Sequence, residues 1–254
     1  MKIKNILCAL VAILMLSCSN DSKDDDSKNI PSDGLVAYYT LNNEALDKSI
    51  NNNDGEIIEA SGSTDRKEKE NGALEFNGIN SKVVLTTQID DALSTGLTFS
   101  AWIYYTGEST GRILSNYNGE GEAGNCKERI GFNFGITADK QLNIHYAIDG
   151  DDYVGRATAL NTINTNEWIH VLGTWDGTFT SGGFKLYING VQLDTENHES
   201  GIISCDYLQS LSPFYIGMGH CAAGECAPFG GKIDDVRIYN KVLNSDDIKL
   251  LSEE

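Results

Sequence analysis

From Leu35 onward the chain is divided into short runs in which apolar, β-branched or aromatic side chains recur at every second position. Clusters of Gly, Asn, Asp and Ser separate the runs. A period of two is the mark of a strand with one buried face. The pattern predicts strands over 35–41, 73–76, 82–86, 97–105, 112–115, 129–136 and 141–148. It continues over 153–159, 168–175, 184–188, 191–193, 214–218 and 232–239. Asn189-Gly190 joins two of these runs, and a pair that accepts positive φ at both positions predicts a tight hairpin. Only the last residues read as helix. Asn244 or Ser245 caps it, Asp246 and Asp247 sit in its first turn, and Ile248, Leu250 and Leu251 give it an apolar side. Many short strands with almost no helix predict an all-β sandwich or barrel. The 26 glycines against 3 prolines suit tight turns.

The first residues follow a different pattern. Lys2 and Lys4 precede an apolar run from Ile6 to Leu16. At 1.5 Å per residue that run is too short for a bilayer core of about 30 Å, and it has the size of a signal-peptide core. Met15-Leu16-Ser17-Cys18 resembles the lipobox of bacterial lipoproteins. The resemblance implies cleavage before Cys18 and lipidation of its thiol, an anchor with no spanning helix. Ser19 to Lys28 contains no apolar residue and reads as a solvated tether. Its Lys-then-acidic run resembles the surface-export signal of outer-membrane lipoproteins in Bacteroidetes-type bacteria. The expected organisation is a signal over 1–17, a lipidated acidic tether over 18–33 and one β domain over 34–254, held at the outer membrane and exposed at the cell surface.

Charge narrows the partners. Removal of Lys2 and Lys4 with the signal takes the net charge from −18 to −20. A chain this acidic, with no basic patch, excludes nucleic acid. Of 6 cysteines, Cys8 leaves with the signal and Cys18 takes lipid. Cys126, Cys205, Cys221 and Cys226 remain, and an even number in an exported chain predicts disulfides. Cys221 and Cys226 bracket a short loop and suit a local staple, which pairs Cys126 with Cys205. Zinc would call for a CxxC spacing that is missing.

Several segments then carry a family resemblance. Gly34-Leu35-Val36-Ala37-Tyr38-Tyr39, Leu74-Glu75-Phe76-Asn77-Gly78 and Phe99-Ser100-Ala101-Trp102-Ile103 are three of them. Glu167 to Val171, Thr174-Trp175-Asp176-Gly177, Leu186 to Gly190 and Gly231 to Lys241 follow in order. Together they resemble laminin-G-like, concanavalin A-like jelly-roll domains. The resemblance implies two antiparallel sheets with a short C-terminal helix, and it departs at 116–128 and 201–213, which look like insertions. It also implies a structural Ca²⁺ beside the closing strand, held by Asp234, Asn42 and the carbonyl of Gly72. Asp47 is the runner-up ligand: Asp47, Ser49, Asn51 and Asn53 alternate as in an EF-hand loop. Asn52 stands where that loop needs Gly and Ile58 where it needs Glu, so the segment reads as an Asx-rich turn.

Other chemistries leave weaker traces. The concanavalin-like laminarinases carry Glu-x-Asp-x-x-Glu on one strand, and no such spacing occurs here. Gly107-Glu108-Ser109-Thr110-Gly111 fits a nucleophile elbow, but it lies between two strands rather than before a helix. Sugar binding needs aromatic faces with fixed polar groups. Tyr117, Asn118, Phe132, Asn133, Tyr146, Tyr153 and Arg156 on the central strands and the loops joining them, and Glu225 beside the Cys221–Cys226 loop, are the candidates. The leading expectation is a non-catalytic carbohydrate-binding module for a glycan or polysaccharide. The alternatives are a glycoside hydrolase or polysaccharide lyase of the same fold, and an adhesion module that binds a surface protein.

Overall fold

A computed structural model describes residues 30–107, 110–119, 129–148, 152–201, 210, 212–221 and 223–254. The signal, Cys18, most of the tether, Ser109, Cys126 and Cys205 lie outside the described residues. The strands in chain order begin with β1 (Leu35–Tyr39), β2 (Gly55–Ile58), β3 (Ser61–Ser63), β4 (Ala73–Asn77), β5 (Lys82–Leu85) and β6 (Leu97–Tyr105). There follow β7 (Gly111–Ser115), β8 (Gly131–Ile136), β9 (Leu142–Ile148), β10 (Asp152–Thr158), β11 (Trp168–Trp175) and β12 (Phe184–Ile188). The set closes with β13 (Val191–Gln192), β14 (Asp194–Asn197), β15 (Tyr215–Ile216), β16 (Gly219–Cys221), β17 (Gly224–Cys226) and β18 (Gly230–Tyr239), then helix α1 (Ser245–Ser252).

The strands make a jelly-roll sandwich of two antiparallel sheets. The first has the order β13-β12-β11-β6-β18-β4-β3, with β1 also paired to β18. The second runs β14-β10-β9-β8-β7-β15-β5-β2. β16 and β17 form a separate hairpin, closed by the disulfide Cys221–Cys226. The alternating pattern predicts the central strands to within a residue or two. It misses β2, β3, β14, β16 and β17, whose exposed, polar or glycine-rich residues bury no face and so carry no alternation. β1 stops at Tyr39 rather than Leu41 because Leu41 and Asn43 turn to positive φ.

Period two decides what each sheet encloses. Phe99, Ala101 and Ile103 of β6 and Val171 and Trp175 of β11 face inward from the first sheet. Phe132, Phe134 and Ile136 of β8 meet them from the second, with Ile144 and Tyr146 of β9. Trp175 is fully buried, with its ring centroid 5.2 Å from Phe132 and 5.3 Å from Phe179. Gly173 is required between the sheets: a Cβ there would stand 2.9 Å from Ile144 and 3.1 Å from Phe134.

The outer face of the first sheet is also covered. α1 begins at Asn244, whose side-chain oxygen accepts the backbone N–H groups of Asp246 and Asp247, each at 2.9 Å. Ile248 and Leu251 then lie against Leu172 and Tyr239. A bulge in β18 lies between Asp234 and Arg237, with Asp235 at φ 47°. It brings both Asp234 and Arg237 to the outer face, opposite Trp102 and Ser100. Arg237 is buried over the Tyr38 ring at 3.9 Å and pairs with Glu254 at 2.6 Å.

Candidate functional site

The second sheet carries polar side chains on its outer face, and they are buried there. Because Phe132, Phe134, Ile144 and Tyr146 point inward, Asn133, Asn143 and His145 must point outward. The strand registers align Ser115, Asn133, His145 and Gly155 in one row across β7, β8, β9 and β10. The Ser115 hydroxyl donates to Asn133 Oδ1 at 2.9 Å, and Asn133 Nδ2 lies 3.2 Å from His145 Nε2. Gly155 carries no side chain and admits none: a Cβ there would stand 2.0 Å from the Ile144 carbonyl oxygen. The His198 backbone N–H donates to the Gly155 carbonyl at 3.1 Å. Its ring therefore reaches His145 with centroids 4.9 Å apart, and Tyr153 stands 4.9 Å from His198 and 5.2 Å from His145. Asn143 Nδ2 lies 3.2 Å from His198 Nε2, while its buried Oδ1 has no hydrogen-bond partner.

Above this row is a cavity of about 130 Å³. Asn133, His145, Ala147 and Tyr153 line it from the sheet, Arg112 and Tyr117 from β7 and the residues after it, and His220 with the disulfide from the β16–β17 hairpin. Burial holds the His145 imidazole well below its usual range, and the charge of Arg112 adds to the effect. His198 is lowered for the same two reasons, burial first. Both rings are therefore neutral at pH 7. Arg112 is lowered by burial to about 10 and stays charged.

The predicted residues divide. Tyr117 and Tyr153 meet at the cavity, and Asn118 follows Tyr117 with its N–H bonded to the Ile130 carbonyl at 2.9 Å. Phe132 and Tyr146 do not belong to a surface site. They are buried, 4.9 Å apart, and both lie against Trp175, because burying an aromatic ring outweighs presenting it to water. Arg156 shares the parity of Val154 rather than of Tyr153, and it binds Asp194 and Asn197 at the β10–β14 edge. Glu225 pairs with Lys82. Asn133, the other candidate at this cavity, lines it as well, whereas sequence reasoning missed Arg112, Asn143, His145, His198 and His220 as a group. The available signal was the polar residue at each alternate position of otherwise aromatic strands.

A second cavity, of about 230 Å³, lies on the other sheet beside β18. It brings together Asn42, Gly72 and Asp234, with Thr40, Asp65 and Arg66. Arg66 bridges Asp234 at 2.5 Å and Asp235 at 2.7 Å and lies 4.7 Å over the Trp102 ring. Burial, then the charge of Asp235, raises the Asp234 carboxyl to about 7 against the pull of Arg66. Thr40 Oγ1 is buried with no hydrogen-bond partner. An orphan hydroxyl, an amide oxygen and the carboxylates of Asp65 and Asp234 are the kind of groups an oxygen-liganded cation takes, and Arg66, Lys67 and Lys69 line the same cavity. Among the described residues no three His, Cys, Asp or Glu side chains converge on a metal position, so the neutral oxygens would have to complete any such shell. Asp47 is spent on structure: its carboxylate accepts from the N–H groups of Tyr38, Ser49 and Asn53. The strands β6 and β7 flank the G-x-S-x-G segment, and no helix follows it.

The arrangement is that of a jelly-roll sandwich with a polar, partly aromatic cavity on one outer face. The sequence profile of the concanavalin A-like lectin/glucanases superfamily matches residues 77–249, and the chain belongs to that superfamily. No curated protein matches the sequence. Among solved structures, the chain is similar to domain 4 of AbnA, an extracellular arabinanase from Geobacillus stearothermophilus, solved with arabinotriose. The TM-score is 0.59 at 18% identity, over 86% of this chain and 98% of that domain. It is similar to a botulinum neurotoxin type C structure, whose cell entry depends on two ganglioside molecules, with TM-score 0.59 and 13% identity over 87% of this chain. Trypanosoma rangeli sialidase gives 0.57 at 19% identity over 88%. The match spans 51% of the neurotoxin chain and 33% of the sialidase chain. At these identities the likeness is one of fold.

The neutral histidines set a pH dependence. The folded chain takes a proton on His145 at lower pH than the unfolded chain. Its stabilising contribution is therefore complete above about pH 6.5 and is lost as pH falls below that, by up to about 1.4 kcal/mol per pH unit. Asp234, raised in the fold, acts in the opposite sense between 3.8 and about 7. Comparison with His145→Gln cancels that term. Urea unfolding at pH 7.5, 6 and 5 should show the parent losing stability relative to the variant on acidification. A constant difference across the three pH values would refute it.

Proposed function

We propose that the protein is a lipid-anchored module on the surface of the outer membrane that binds carbohydrate and does not cleave it. The observation that carries this reading is the cavity over β8 and β9, where Tyr117 and Tyr153 supply ring faces and Asn133, His145 and His220 supply polar atoms. A largely preformed concavity of that kind fixes a ligand by apolar contact and orients it by a few polar groups. Among the described residues its lining includes no carboxylate, whereas glycoside hydrolysis uses a pair. The arabinotriose in the arabinanase domain and the gangliosides of the neurotoxin support a sugar as the ligand. On a glycan array the purified full chain should bind one glycan class, and Tyr153→Ala should weaken it about tenfold, or about 1.4 kcal/mol. A folded protein that binds no displayed glycan would move the reading to a protein partner.

The anchor rests on the lipobox-like run ending at Cys18. Cells supplied with labelled palmitate should label the parent chain at their surface. Equal label on Cys18→Ser would remove the anchor from the reading.

A structural Ca²⁺ belongs to the same proposal. Asp234 and Asp65 would supply carboxylates, Asn42 an amide oxygen, Thr40 its hydroxyl and Gly72 its carbonyl. The ion would have to compete for Asp65 and Asp234 with Arg66, Lys67 and Lys69, which line the same cavity. At a hundredfold excess over its Kd, calcium should add about 2.7 kcal/mol and raise Tm by about 5 °C or more. Asp234→Asn should abolish the shift. Identical melting in calcium and in chelator would sink the metal.

A further inference from the structure

The arginines of the described structure are not treated alike. Arg66 holds Asp234 and Asp235, Arg156 holds Asp194, and Arg237 holds Glu254. Arg112 has no carboxylate within ion-pair distance and no hydrogen bond to its guanidinium among the described residues, although it lines the cavity over β8 and β9. The fold makes room for it there. Its stem passes close to Gly219, where a Cβ would stand 2.8 Å from Arg112 Cγ. In register with it on β8 is Gly135, which also lacks a side chain. The groups that face it are His145 and His198, held neutral by burial, and the amide of Asn133. None of these carries negative charge. A half-buried guanidinium that is partly stripped of water and given no counter-ion by the described residues is unfavourable there. It becomes favourable when a ligand brings the missing anion, because a planar fork of donors matches a carboxylate or sulfate bidentately.

We propose that this cavity binds an acidic sugar, with Arg112 holding the carboxylate or sulfate and Tyr153 the ring. The inference rests on the carbohydrate reading and narrows its ligand class. The cavity of about 130 Å³ has room for one anionic group of a sugar rather than for a whole chain. The neutral imidazoles of His145 and His198 suit the same role: at pH 7 they donate and accept without competing for the anion.

The test is calorimetric titration of the full chain with two matched pairs. One pair is trigalacturonate and its methyl ester; the other is a sulfated galactan trisaccharide and its desulfated form. The acidic member of at least one pair should bind tenfold or more tighter than its neutral partner, and the pair that does so tells carboxylate from sulfate. Arg112→Gln should remove that preference, so that the acidic and neutral members bind alike, and Arg112→Lys should keep part of it. Thermal melts check that both variants fold. Equal affinity for acidic and neutral members overturns the inference and leaves the carbohydrate reading standing. Equal binding of the acidic member by parent and Arg112→Gln overturns the role of Arg112. Binding to none of the four, together with silence on the glycan array, overturns both.

Discussion

The aromatic cluster between the sheets is the interaction on which the remainder depends. Trp175 stands against Phe132, Phe179 and Phe184, and Phe99 meets Phe132, Phe134 and Phe214 from the same sheet as Trp175. Each buried large side chain contributes about 1.5–3 kcal/mol of transfer free energy. The backbone ladder then transmits the choice to every neighbour. With Phe132 and Tyr146 fixed inward, Asn133 and His145 have no option but the outer face, and the cavity follows. A one-residue slip in β8 or β9 would exchange the two sets, exposing the aromatic rings and burying an amide and an imidazole. The core therefore specifies the site by exclusion, without a residue of the core touching the ligand.

The outer faces of the two sheets use charge in opposite ways. On the first sheet the bulge at Asp235 turns Asp234 and Arg237 outward together, and Arg66 and Glu254 close the network. Buried pairs of this kind add little net stability compared with apolar packing, but removing one member leaves a costly unpaired charge. They fix the loop over 65–72 and the C-terminal helix in place rather than deepen the stability. On the second sheet a similar guanidinium, Arg112, is given space by glycines and left without an acid. The difference between the two faces is the difference between a closed structural seam and a surface kept ready for something else.

What the sequence made legible follows the same physics. Alternation identified the central strands, since their burial imposes it, and the Asn244 cap placed the helix. The order of family-like segments gave the sandwich. Polar edge strands such as β14 and β3 were invisible because nothing on them is buried. Within the site, Tyr117 and Tyr153 were found by residue type, and Phe132 and Tyr146 were chosen wrongly for the same reason. Composition says that an aromatic ring has two possible uses, and only the parity of the strand relative to the core tells them apart. Arg112 was unreadable for another reason. Its distinction is the absence of an acid around it in space, and nothing in the chain near residue 112 states that.

The proposed anion site lies on an acidic protein. The net charge of −18 opposes the approach of any anionic ligand. That repulsion is long-ranged, however, and at physiological ionic strength it fades over about 8 Å. The contact with Arg112 acts at hydrogen-bond distance inside a cavity where water is scarce, and screening reaches it far less. The two effects therefore divide by step: the overall charge slows encounter, and the local pair lengthens residence. Such a division favours ligands presented many times on one polymer, for which a slow first encounter is followed by fast rebinding nearby. An acidic protein with a cation in this cavity thus converts charge from a source of affinity into a source of selectivity.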